Sequence, residues 1–424
     1  MQRSPQVSPA GLLVVGIFTA GIFATTQAAN WPQWRGPQRN GVSEETGLLR
    51  EWPAEGPTLL WQLSDLGGGY STPAVVGERL YVLGSTGLDN EFIQALDVNN
   101  MGEQLWSKRV GKVGEPDQKP PYPGARSTPT VDGDRLYVLG SDGDLLCMNA
   151  ASGDIAWQKN LRTDFGGKPG EWAYSESPLV DGETLVCTPG GSDATIVALD
   201  KNTGEVIWKS PVEGGEEAGY SSVVISNAGG VKQYVQFLAK GLIGVDAATG
   251  KPLWRYDRTA QGSPANIPTP LVHGDYIYTA SGKGGGGLIK LNRTDEGFVV
   301  EEKYAGGNLP KAIGGTVLVG DHIYGTNSDS LMCIELTTGE EAWRDRALGA
   351  ASICVADGRL YLHGENGEVA LVEATPEAYR ELGRFTPPGA PDRGSSKAWA
   401  YPAVADGKLY IYDTGTLWCF DVRT

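Results

Sequence analysis

The sequence predicts an all-β protein, an eight-bladed β-propeller of four-stranded antiparallel blades. Three observations carry that expectation. A phrase of the form Ala-x-Asp-x-x-Thr-Gly-x-x-x-Trp recurs along the chain, and a second phrase rich in Pro, Val, Gly and Leu-Tyr-Val precedes each copy. The aromatic residue closing each copy returns about every 46 residues. Repeats of that length, made of short strands and tight turns, are the mark of radially arranged blades.

The first element precedes the repeats. Residues 10–24 (AGLLVVGIFTAGIFA) are apolar and of export-signal length, and Thr26-Gln27-Ala28 offers small residues for cleavage. Residues 1–28 are expected to be a signal peptide cut near Ala28, with an uncleaved anchor as the alternative. No Cys follows this stretch to take a lipid, and no later run has the length and apolarity of a membrane helix. A periplasmic or extracellular location is expected, with no membrane span after signal removal. Residues 29–57 read as a lead segment and residues 58–424 as the propeller.

Within each repeat, strand a is the Pro-x-Val segment and strand b the Leu-Tyr-Val segment. Strand c carries Ala-Leu-Asp, and strand d ends in the aromatic residue. Apolar and polar residues alternate in b and c, as half-buried strands require. Val-Asp-Gly-Asp and Thr-Gly-Glu supply the hairpin turns. The closing aromatics run Trp61, Trp106, Trp157, Trp208, Trp254, Tyr304, Trp343 and Phe385. The last repeat stops after Leu-Trp-Cys-Phe-Asp, before any Trp strand, while Thr58-Leu59-Leu60-Trp61 stands alone before the first. The N-terminal strand is therefore expected to complete the last blade and remove a free sheet edge. Seven blades is the rival, should the fifth or seventh copy fail to fold.

Composition narrows the chemistry. The 424 residues carry 35 Lys and Arg against 51 Asp and Glu, a net charge of −16. That balance opposes binding to a nucleic-acid backbone. Three His residues are too few for a His-rich metal site. Among the five Cys, Cys147, Cys333 and Cys419 share one repeat position that elsewhere holds Ala95, Ala198 or Gly244. They read as small buried residues rather than a disulfide framework. The six Trp at the repeat position (Trp61, Trp106, Trp157, Trp208, Trp254, Trp343) read as packing residues. His273, His322 and His363 suggest no Ser/His/Asp arrangement. Lys283 and the four glycines after it lack the ending of a phosphate-binding loop and read as a flexible b–c loop. The acidic run 213–217 lacks calcium-loop spacing.

The d-to-a connections are the long ones: 110–125, 161–175, 257–268, 305–315 and 386–397. They emerge on one face of a propeller, where function concentrates. Aligning the repeats places Tyr70, Arg126, Ser175, Tyr220, Ile267, Gly314, Ala350 and Trp399 at the entry to the innermost strands. Tyr70, Arg126, Tyr220 and Trp399, flanked by Tyr174 and Glu176, form the candidate arc for a planar ligand, a sugar or a peptide segment.

The phrase Ala-x-Asp-x-x-Thr-Gly-x-x-x-Trp resembles the repeat of the PQQ-like, or quinoprotein-type, β-propellers over essentially the whole mature chain. The opening Trp31-Pro-Gln-Trp-Arg-Gly-Pro37 looks like the lead segment of secreted bacterial proteins of this type. The resemblance implies that each strand-d Trp docks on the neighbouring blade. The family includes quinoprotein alcohol dehydrogenases and the non-enzymatic, BamB-like assembly propellers. Three functions follow as expectations. The first is an exported, non-enzymatic binding or scaffold propeller, expected to be a monomer, with an envelope protein or a small planar or sugar ligand as partner. The second is a PQQ-dependent oxidoreductase, for which the family uses calcium, a catalytic Asp and a disulfide between adjacent Cys. This chain has no adjacent Cys pair, and Glu176, Asn266 and Asp392 are only loop residues on the appropriate face. The third is a carbohydrate-binding or carbohydrate-processing propeller. No catalytic residue, metal ligand or cofactor is assigned from the residues themselves.

Overall fold

A computed structural model describes residues 1–2, 29–114, 124–213, 216–262 and 265–424. The expected signal segment 10–24 and its cleavage site at Ala28 lie outside the described residues, as do parts of the 110–125, 213–217 and 257–268 loops.

Eight antiparallel sheets follow one another along the chain. Blades 1 to 7 span 74–111, 130–160, 179–210, 224–256, 271–306, 316–345 and 351–385. Blade 8 takes its inner three strands, Ala403–Ala405, Lys408–Asp413 and Thr416–Asp421, from the C-terminal end. Its outermost strand is Thr58–Leu63, antiparallel to Thr416–Asp421. The expected closure is thus observed, and the fifth and seventh copies are complete four-stranded blades.

A row of three residues crosses each blade and explains the repeat. In blade 2, Tyr137 on strand b opposes Cys147 on strand c, which opposes Trp157 on strand d. Tyr324, Cys333 and Trp343 do the same in blade 6, and Tyr410, Cys419 and Trp61 in blade 8. A small middle residue leaves room for two flanking rings on one sheet face. All five Cys are buried and free. In all eight blades a register shift follows this position between strands c and d. Such a bulge sharpens the local twist.

The strand-d rings then dock on the next blade. The Trp157 indole donates to Lys201 O at 3.0 Å, Trp208 to Ala247 O at 3.2 Å and Trp343 to Thr375 O at 2.8 Å. Tyr304, which replaces Trp in blade 5, donates to Leu336 O at 2.8 Å. Under these rings lie glycines of the following c–d turn. A Cβ on Gly153 would stand 2.8 Å from the Trp106 ring, and one on Gly204 2.9 Å from Trp157. The Asp of the repeat holds that turn: Asp200 Oδ1 accepts from the amides of Asn202 and Thr203, each at 2.9 Å. The buried core accordingly divides into clusters that each straddle neighbouring blades.

The lead segment crosses the ring axis. Trp31 exchanges two 2.8 Å backbone hydrogen bonds with Val75 of blade 1, and Pro32 O accepts from Val131 N of blade 2 at 2.8 Å. Arg39 donates to Ser177 O at 2.8 Å and Pro178 O at 3.1 Å, at the inner edge of blade 3. Trp34 Nε1 donates to Thr269 Oγ1 of blade 5 at 2.8 Å, and Arg35 donates to Thr316 O of blade 6. Val42–Ser43 pairs in parallel with the inner strand of blade 7, Ala351–Ala356. Ser43 Oγ donates to Val404 O of blade 8 at 2.9 Å. Further on, Trp52 packs edge-on against Phe385 with ring centroids 5.4 Å apart.

Candidate functional site

The inner strands begin at the long-loop face, and their entry residues are set by hydroxyls one blade over. Thr128 N donates to Ser177 Oγ, Ser177 N to Ser222 Oγ and Tyr401 N to Thr72 Oγ1, each at 2.9 Å. Ser352 Oγ donates to Trp399 O at the same distance. These side chains satisfy backbone donors and acceptors that the short inner strands leave over. They also hold the residues just before them around the mouth of the axis.

Those residues enclose a cavity of about 310 Å³, lined by Tyr70, Arg126, Ser175, Tyr220, Ile267 and Trp399, all at the aligned entry position. Trp34, Trp172, Ala265, Ile313 and Tyr401 complete it. Tyr70 and Trp399 stand 5.0 Å apart between centroids, and Trp172 and Tyr220 5.7 Å apart. Trp34 meets Tyr401 edge-on at 4.7 Å. Because Trp34 belongs to the lead segment, the axis does not run open beneath the cavity. The rings are held by their polar ends: Tyr220 Oη accepts from Trp172 N at 3.0 Å, Tyr401 Oη donates to Ile313 O at 2.8 Å, and Trp399 Nε1 donates to Glu365 Oε1 at 3.0 Å.

Among the described residues, Arg126 is the one charged residue in the lining. Its Nη1 donates to Gly124 O at 3.0 Å. Burial pulls its guanidinium below the usual arginine range, while Glu91, Tyr70 and Tyr220 act the other way. Glu91 is buried and accepts from Ser141 N at 2.7 Å and Ser141 Oγ at 3.1 Å. Burial pushes its carboxyl up to about 7, against those hydrogen bonds and the Arg126 charge. Tyr220 and Tyr401 are both raised by burial, to about 12. The rings are thus neutral donors at ordinary pH.

Of the six candidate residues, the structure brings Tyr70, Arg126, Tyr220 and Trp399 together at this cavity. Tyr174 and Glu176 lie elsewhere. Neighbours along an extended segment point to opposite sides, so Ser175 faces the cavity and its two neighbours turn away. Tyr174 is buried between blades and donates to Pro189 O at 2.8 Å. Glu176 is buried, accepts from Thr188 N and from Gln236 Nε2 at 3.3 Å, and is pushed up to about 7 by burial. Trp34, Trp172 and Tyr401 were not among the candidates. Tyr401 had a signal, since it lies two residues beyond Trp399 and shares its side. Trp34 reaches the mouth along the axis from outside the repeats, which spacing does not encode.

The residues considered for calcium do not form a ligand set. Asn266 Nδ2 donates to Leu238 O at 2.7 Å and Ala239 O at 3.0 Å, Asp392 accepts from Gly394 N at 2.9 Å, and Glu176 is engaged as above. No acidic side chain among the described residues lines the cavity. Among the described residues, no three His, Cys, Asp or Glu gather as a metal site. His363 is buried, with Nδ1 2.9 Å from Ala400 O. The glycines after Lys283 differ from expectation: Gly285–Thr294 is strand c of blade 5, paired with strand b, rather than a flexible loop. A Cβ on Gly284 would collide with Thr259 O, so close packing accounts for glycine there.

Comparison with known proteins follows this geometry. Residues 89–345 match the family described as outer membrane protein assembly factor BamB. The chain is 25% identical to polyvinylalcohol dehydrogenase of Sphingopyxis sp. (strain 113P3), over 68% of this chain and 41% of that protein. It is 26% identical to the assembly factor BamB of Burkholderia pseudomallei, over 49% of this chain and 47% of that protein. The chain thus matches less than half the length of each of these two relatives. Among solved structures, BamB from Moraxella catarrhalis superposes with a TM-score of 0.62 at 15% identity, covering 86% of this chain and 97% of that one. Quinohemoprotein alcohol dehydrogenase from Comamonas testosteroni gives 0.61 at 14% identity, covering 92% and 80%. At such identities the structural likeness concerns the fold. Among the described residues, no helix is long and apolar enough to cross a membrane.

Proposed function

The chain belongs to the BamB-like family of PQQ-like β-propellers, and from that premise we propose that it is a non-enzymatic binding propeller of the bacterial envelope. It engages a protein or small ligand on its long-loop face and anchors one apolar group of that partner in the aromatic cavity. The observation that carries this reading is the cavity itself: six aromatic rings and one guanidinium around about 310 Å³, closed below by Trp34. Such a volume takes one ring system or large side chain, and buried aromatic anchors beside Arg are what binding hot spots use. The names of the BamB relatives support an assembly partner; the sequence match to them covers about half of each chain.

The dehydrogenase relatives keep a second reading in view, but among the described residues the lining offers no carboxylate to hold a cation and no base beside a substrate. A sugar site is less favoured, because the polar ends of Tyr220, Tyr401 and Trp399 are already engaged with the protein.

The test is a titration of the mature protein with an aromatic anionic dye, 1-anilinonaphthalene-8-sulfonate, and separately with PQQ plus calcium. One saturable dye site, lost in the Arg126→Gln/Trp399→Ala double variant, is expected. Undiminished dye binding in that variant would remove the cavity from the function. Saturable, calcium-dependent quenching by PQQ would favour the oxidoreductase instead.

A further inference from the structure

The lead-segment motif leaves two arginines at the centre of the ring. Arg35 is 2% exposed and Arg39 is 4% exposed. Neither makes an ion pair with any described carboxylate. Arg35 gives Nη2 to Asn40 O at 3.1 Å and to Thr316 O, while its Nε and Nη1 meet no hydrogen-bond acceptor. Arg39 gives its two Nη atoms to Ser177 O, Pro178 O and Gln33 Oε1, while its Nε meets none. Burial takes both guanidiniums below the usual arginine range, Arg39 to about 10. Glu176 compensates Arg39 in part, and the Arg35 guanidinium lies over the Tyr401 ring, 5.6 Å from its centroid.

Both residues line a second cavity, of about 270 Å³, which is separate from the aromatic one. One side is polar, with Gln38 and Asn40 beside the arginines. The other is the aliphatic inner edge of blades 4 and 5: Val224, Ile225, Leu271 and Val272. Gln38 and Asn40 are solvent-exposed, so the cavity has an entrance. Arg35 and Arg39 both sit at positive φ, 58° and 55°, a backbone form that bulky residues adopt only when the surroundings enforce it. Two desolvated cations bordering an accessible space are costly unless an anion or water compensates them.

We propose that this lower axial cavity is an oxyanion site, in which Arg35 and Arg39 hold a carboxylate or phosphate head group and the aliphatic wall receives any apolar body attached to it. The site stands independently of the aromatic cavity. It gives the Trp-Arg-Gly-Pro-Gln-Arg motif a role beyond spanning the axis.

The test is thermal unfolding of the mature protein in sodium phosphate and in sodium hexanoate, each against sodium chloride at matched ionic strength and pH 7. A site of this kind gives a saturable rise, about 2 °C at a tenfold excess over Kd. A rise with phosphate alone assigns a free oxyanion, and a larger rise with hexanoate assigns an organic acid. Arg39→Gln should lose the response. Gln38→Glu places a fixed negative charge at the exposed entrance without disturbing the core; it should raise the midpoint in chloride and abolish the anion response. Two results overturn the proposal: midpoints that rise no more with either anion than with chloride, or a response undiminished in Gln38→Glu.

Discussion

At Gly204 two requirements meet. Its φ is +72°, and the Trp157 ring of the preceding blade lies where a Cβ would go. The Thr-Gly and Trp of the repeat are therefore one device split between adjacent blades, with the Asp turn presenting glycine to the neighbour's ring. Gly204→Ala is expected to cost about 2–4 kcal/mol, combining left-handed strain with overpacking. Trp157→Ala should cost about 3–5 kcal/mol. In the double variant the glycine substitution should cost clearly less than in the wild-type background, because its clash partner is gone. Equal costs in both backgrounds, measured by denaturant unfolding, would deny the docking. The same scale shows the limit of repeat alignment at the cavity. It located Tyr70, Arg126, Tyr220 and Trp399, since one backbone position does one job in every blade. It also drew in Tyr174 and Glu176, because adjacency in sequence is opposition in an extended segment.

Among the elements, the lead segment departs furthest from what spacing reveals. Its strand Thr58–Leu63 was legible, because blade 8 lacked a partner for its third strand. Residues 31–43 were not, since they touch seven blades through backbone groups and the side chains of Trp34, Arg35, Arg39 and Ser43, with no repeat to announce them. The segment even supplies blade 8 with its missing turn: Gly56, at φ +83°, lies against the Phe385 ring as the repeat glycines lie against Trp. A chain beginning at residue 65 is accordingly expected to lack native tryptophan fluorescence and cooperative melting. A peptide covering 29–64 added in trans should restore both. A truncated chain that melts at the full-length midpoint would show that the segment only decorates the ring.

For the whole molecule, the buried acids set a pH dependence. Glu91 and Glu176 are both raised from 4.5 to about 7 in the folded state. The folded protein thus holds these protons more tightly than the unfolded chain. Their contribution to stability is complete below pH 4.5 and declines as pH rises to 7, by up to about 3 kcal/mol for each acid. Glu91→Gln and Glu176→Gln should flatten the descending slope between pH 5 and 7, read by urea unfolding across that range. An unchanged slope would mean that neither carboxyl is protonated on folding.

The same lead segment decides the order in which the molecule can be finished. Ser43 bonds to a carbonyl 361 residues further along the chain. The parts that emerge first therefore lack their full set of partners until the last blade exists, and blades 1 to 7 must wait as an open arc. Completion of the ring is then a late, unimolecular closure over a very long loop, intrinsically slow yet independent of protein concentration. Before that event the lead segment has no closed ring to span and both terminal sheet edges are exposed. This interval, rather than the finished ring, is when the chain is most open to aggregation or capture by a chaperone.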